Sequence, residues 1–176
     1  MDKFNQARLK YKPTVIKYLL VAETPPKSDS NRFFYFEYVD KQDSLFLEIM
    51  KVLYPIETSS LSIKEIRLKK EEFLNRFKTD GFYLIDSLDK PFEEKYSSRQ
   101  KIELIRKGQV DLLSKITKLL SSETKVILIA SPVYKANIEF LKANKVPVIN
   151  SEFIDFPGSG GQKKFREKMW SILNNI

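Results

Sequence analysis

The run Val15-Ile16-Lys17-Tyr18-Leu19-Leu20-Val21 stops at Ala22-Glu23-Thr24-Pro25-Pro26. It is short, apolar and rich in β-formers, which predicts a buried strand over residues 15–22 with a proline-stiffened turn behind it. Three more runs read the same way. Phe82-Tyr83-Leu84-Ile85-Asp86 follows Gly81, the residue that stops the preceding helical pattern. Residues 125–130 are apolar after Lys125, as central parallel strands tend to be. Val146-Pro147-Val148-Ile149 predicts a fourth strand.

Helical spacing fills the intervals. Residues 1–12 predict a short helix or arm ended before Pro13. Ser44 is a plausible cap for a helix with Leu45, Phe46, Ile49, Val52 and Leu53 on one face. Further helices are expected over 62–78, 99–121, 133–143 and 161–174. Strands alternating with helices predict an α/β protein, a three-layer α/β/α sandwich around a four-stranded parallel sheet. With no repeat or linker in the chain, residues 1–176 read as one domain.

Composition narrows the chemistry. The chain has no cysteine and no histidine, so disulfides, thiolate metal sites, imidazole bases and Ser-His-Asp triads are excluded. Proton transfer must fall to Asp, Glu, Lys or Tyr, or to water held by them. With 31 Lys+Arg against 23 Asp+Glu, the net charge of +8 favours a polyanionic partner, nucleic acid or a nucleotide, although lysine-rich surfaces are common. No apolar run reaches membrane-spanning length and residues 1–6 do not resemble a secretory signal, so a cytoplasmic protein without membrane contact is expected. No cofactor or metal site is expected.

Two turns past strand ends carry most of the functional argument: 22–26 and Asp155-Phe156-Pro157-Gly158-Ser159-Gly160-Gly161. In open parallel sheets, ligands bind beyond the carboxyl ends of the strands. The second turn holds three of the chain's five glycines, runs into Lys163 and Lys164, and suits close backbone approach to phosphate. Glu23 is either a water-activating carboxylate or a solvated loop acid. Asp86 either reads a ligand edge or caps a turn. Arg32-Phe33-Phe34-Tyr35-Phe36 is aromatic enough to offer a stacking ring, although alternation in the run also suits core rings. Ser131-Pro132, at the end of the third strand, is a candidate for the cleft floor.

These segments, in this order, resemble the uracil-DNA glycosylase superfamily. The resemblance makes Ala22-Glu23-Thr24-Pro25-Pro26 the first, water-positioning motif and Phe33, Phe34 or Tyr35 the base-stacking aromatic. It makes Asp86 the base-reading residue and Phe156-Pro157-Gly158-Ser159 the second motif. It implies hydrolysis of an N-glycosidic bond in an extruded nucleotide. Glu23 and Asp86 would be the catalytic pair, with Thr24, Pro25, Phe33, Phe34, Tyr35 and Ser131 around the base. Phe156 to Gly160, Lys163 and Lys164 would lie along the phosphates. Three positions depart from the family pattern: Ala22 replaces a glycine, Phe156 a histidine and Asp86 an asparagine. An ionised Asp only accepts hydrogen bonds, so a base that presents mainly donors, or no base at all, suits it better than uracil. The alternative is a binding module of the same fold without turnover.

Overall fold

The computed structural model describes residues 2–158 and 160–174. Its elements run α1 (Lys3–Lys10), β1 (Tyr18–Ala22), α2 (Ser44–Leu53), α3 (Pro55–Ser59), α4 (Ile63–Leu68), α5 (Lys70–Thr79), β2 (Phe82–Asp86), α6 (Ser98–Lys107), α7 (Gln109–Thr117), β3 (Lys125–Leu128), α8 (Ser131–Ala143) and α9 (Gln162–Asn174). The chain is an α/β protein with a parallel sheet in the order β2-β1-β3, flanked by helices. Tyr18 lies beside Phe82 and Lys125, and Ala22 beside Asp86, so β1 and β2 end together at one edge. The central strand is the most apolar, with Leu19, Leu20 and Val21 wholly buried.

The sheet has three strands where four were expected. The 146–149 segment meets β3 only at an isolated parallel bridge between Val148 and Val126, and a second bridge joins Ile154 to Ile129. Between the two bridges the backbone leaves the sheet, and the Asn150 side chain takes its place. Its Oδ1 accepts from Leu128 N at 3.0 Å and its Nδ2 donates to Leu128 O at 3.1 Å. The opposite edge is closed in the same way. Tyr35 Oη accepts from Leu84 N at 2.6 Å and donates to Leu84 O at 3.1 Å, on β2. Unpaired edge groups invite pairing with another chain or exact a desolvation cost if buried. Here one side chain satisfies both Leu84 groups at one edge, and another both Leu128 groups at the other.

Two expected helices are broken. The 62–78 helix divides at Lys69 into α4 and α5, and α4 opens on a capping box formed by Ser62 and Glu65. The 99–121 helix divides at Gly108 into α6 and α7. A Cβ on Gly108 would lie 2.7 Å from the Leu88 side chain, so the loop after β2 occupies the space a larger residue would need.

Candidate functional site

A cleft of about 330 Å³ opens at the carboxyl edge of the sheet. Its wall is assembled from five stretches distant in sequence: the turn from Ala22 to Pro26, Arg32 to Phe34, Gln42 to Phe46, the end of β2 with Leu84 and Asp86, and Phe156. The position follows from the fold. β1 and β2 end in register, Ser87 N and Leu88 N go on donating to the Ala22 and Glu23 carbonyls at 2.8 and 3.1 Å, and the crevice lies beyond the carboxyl ends of the strands, where ligands enter parallel sheets.

Glu23, Thr24, Pro25, Phe33, Phe34, Asp86 and Phe156 all line this cleft. Tyr35 does not. It is 1% exposed, and its hydroxyl serves β2. Ser131 opens α8 and is outside the lining, as are Pro157, Gly158, Gly160, Lys163 and Lys164. Pro157 is buried, whereas Lys163 and Lys164 are exposed on α9, where Lys163 lies 3.8 Å from Glu167. Ser159 falls outside the described residues.

The aromatic residues divide by exposure. Phe33 and Phe34 are 6% and 7% exposed and form the cleft floor while packing inward. Phe33 meets Phe4 edge-on at 5.1 Å, and Phe34 packs on Phe46 and Phe77 at 5.8 and 5.3 Å. Phe156, at 49%, is the aromatic side chain of the lining with an open face. The turn beneath it is tight. Gly161 N donates to Gly158 O at 3.1 Å, and a Cβ on Gly161 would lie 2.4 Å from the Phe156 carbonyl oxygen.

Three carboxylates belong to the lining, and each is held by a cation from outside it. Glu23 Oε2 is 3.0 Å from Lys101 Nζ on α6. Lys101 also lies 5.2 Å from the Phe92 ring centroid, which ties the 87–97 loop to the same corner. Asp86 Oδ2 is 2.5 Å from an Arg8 nitrogen on α1, and the guanidinium rests against the Phe33 ring. Burial dominates at Asp86: despite Arg8 and Lys115, its pKa is pushed up to about 6. Lys115 donates at 3.0 Å to the Asp86 carbonyl oxygen, not to its carboxylate.

The third carboxylate, Asp43, is missing from the sequence reading. It occupies the N-cap position of α2 in place of Ser44, but its carboxylate does not cap the helix. Oδ1 accepts from Arg67 Nε at 2.8 Å. Oδ2 is buried and accepts no hydrogen bond, with Lys70 Nζ 3.6 Å away. Lys70 is wholly buried, donates to the Phe33 carbonyl at 3.3 Å, and sits 4.4 Å from the Phe46 ring centroid. Burial pulls its pKa down to about 8, against the upward pull of Asp43. Asp43 directly precedes an amphipathic helix and could have been suspected as its cap; its partners in α4 and α5 leave no trace in the local sequence.

Among the described residues no group of three His, Cys, Asp or Glu side chains is arranged to hold a metal, and no helix is long and apolar enough to cross a membrane. No family model, curated protein or solved structure matches the chain.

Proposed function

We propose that this chain is a divergent protein of the uracil-DNA glycosylase-like fold, a three-layer α/β/α arrangement, and that it hydrolyses the N-glycosidic bond of a damaged or modified base. One observation carries the reading. Glu23, Phe33 and Phe34, Asp86 and Phe156 succeed one another along the chain in the order the resemblance requires, and they line a single cleft. A volume of about 330 Å³ is at the small end of ligand pockets and suits one base with its sugar.

In this mechanism Glu23 holds the attacking water. Lys101 fixes Oε2 of Glu23, and Oε1 faces the water and accepts its proton as the bond to C1′ forms. The glycosidic bond breaks with its electron pair leaving on the base, and the Glu23 charge stabilises the oxocarbenium-like transition state. Asp86 accepts hydrogen bonds from the base edge. The base stacks on Phe156, the aromatic of the lining with an open face. The turn from Phe156 to Gly161, with Lys163 and Lys164 beyond it, faces the phosphates.

The second reading, a binding module without turnover, is favoured by the Glu23–Lys101 ion pair and by Phe156 standing where the family has histidine. The deciding experiment offers oligonucleotides carrying uracil, hypoxanthine, xanthine, modified cytosines and modified guanines to the wild type and to Glu23→Gln. Base release is read as alkali-labile strand cleavage. Hydrolysis predicts release by the wild type and a loss of about 10²-fold or more in the variant, the usual scale for removing a general base. Undiminished release by Glu23→Gln removes Glu23 from the mechanism. Binding without release from any substrate leaves the second reading.

A further inference from the structure

We infer that the polar cavity beside the cleft, walled by Lys27, Arg32 and Lys41, is a phosphate subsite for the nucleotide whose base occupies the cleft. This rests on the reading of the cleft as a nucleobase site and adds the group that such a base carries with it.

The two cavities are neighbours of opposite character. The cleft is lined by the aromatic residues Phe33, Phe34, Phe46 and Phe156. The second cavity, of about 540 Å³, is lined by polar residues alone. Arg32 lines both, so the two meet at its side chain. A nucleotide is divided in the same way, with a flat π-face at one end and an anion one sugar away. Within a strand it carries a phosphate on each side, so this subsite adds to the turn after Phe156.

The charge balance selects an anion. Lys27, Arg32 and Lys41 are exposed, and none of them forms an ion pair among the described residues. Lys3 Nζ donates to the Ser30 carbonyl oxygen at 2.8 Å, which sets a fourth cation at the edge of the cavity. Asp29 and Asp40 are the carboxylates of the wall. Four cations against two carboxylates attract a phosphate and repel a metal ion.

The backbone holds this arrangement before any ligand arrives. Ser30 N donates to the Lys27 carbonyl at 2.8 Å, and Arg32 N donates to Ser30 Oγ at 3.0 Å, so a closed turn sets Lys27 and Arg32 on one wall. On the other wall, Gln42 has a φ of 57°, a left-handed conformation uncommon outside glycine. Lys41 lines the polar cavity and Gln42 lines the cleft, so this conformation falls at the seam between them. Strained residues of this kind collect at ligand clamps.

The test is fluorescence anisotropy of the full chain with fluorescein-labelled short single strands of mixed sequence, at several salt concentrations. The wild type is compared with the triple variant Lys27→Gln/Arg32→Gln/Lys41→Gln. A second variant, Lys142→Gln/Lys145→Gln, removes charge at and just beyond the far end of α8. All five side chains are exposed, so both variants should fold. In the triple variant the dependence of log Kd on log salt should flatten by about 0.7, the value for one phosphate contact on a single strand. The loss of affinity should be uniform across sequences, as expected of a phosphate contact. An unchanged slope in the triple variant overturns the inference, and where the wild type still releases a base, the nucleobase site stands. An equal loss in the Lys142→Gln/Lys145→Gln variant also overturns it, because net charge then explains the binding. A slope that depends on the three cations, on strands from which no base is released, keeps the subsite and removes the hydrolytic reading. Absence of binding to every strand overturns both.

Discussion

Replacing Asp86 by Asn should reverse part of the pH dependence of folding. Asp86 is 6% exposed, and burial outweighs the attraction of Arg8 and Lys115, raising its pKa from 3.8 to about 6. Between those values the folded state keeps a proton that the unfolded chain has released. Stability therefore falls, for this group, as pH rises through the window, and the full penalty is present above about pH 6. A rise of about two pKa units corresponds to about 3 kcal/mol. Asn carries no titration, so Asp86→Asn should gain about 3 kcal/mol on the wild type between about pH 4 and pH 7. The variant also leaves Arg8 without its carboxylate, but that loss is a constant offset across the window, because Arg8 does not titrate there. The readout is thus the slope of the difference, taken from urea unfolding followed by circular dichroism at several pH values. A flat difference, or a wild type that gains on the variant as pH rises, would mean that the Arg8 pair outweighs burial, and the reasoning would fail.

Tyr35→Phe should cost roughly 1–3 kcal/mol in urea unfolding, because it leaves the Leu84 backbone groups on the β2 edge without their side-chain partner; a change under about 0.5 kcal/mol would show that water replaces the hydroxyl. Gly161→Ala and Gly158→Ala should separate. The first sets a Cβ 2.4 Å from the Phe156 carbonyl oxygen, a backbone atom, and should cost about 1–3 kcal/mol while moving Phe156. The second meets only the Phe156 ring at 3.4 Å and should stay within about 0.5 kcal/mol in the same unfolding assay. Similar losses at both positions would refute the close-approach argument.

The contrast between the two glycines shows where linear reading loses resolution. Their clustering marks a turn, but only the folded path of the Phe156 backbone says which of them is irreplaceable. The same holds for Gly108: the apolar spacing from Ile102 to Leu120 runs through it without interruption, and only the fold shows that Leu88, a residue of another segment, fills the space beside it. The fourth strand fails for a related reason. Val146 to Ile149 has the composition of a strand, but pairing needs a backbone that stays beside β3, and here the Asn150 side chain takes over the Leu128 groups.

The sequence by itself determined the three apolar runs that became β1, β2 and β3, their parallel alternation with helices, and the two turns that reach the same end of the sheet. Burial of apolar residues is written in local order, so strands, turns and the absence of histidine chemistry are legible along the chain. The tertiary structure alone decided which carboxylates meet and what stands behind them. Lys101 lies 78 positions from Glu23, and Asp86 lies 78 positions from Arg8. Ion pairs at such separations depend on how helices settle against the sheet, which no local pattern encodes. Tertiary structure also sent Tyr35 to the sheet edge and Asp43 to the cleft wall, since burial and hydrogen-bond satisfaction are properties of the whole packed chain.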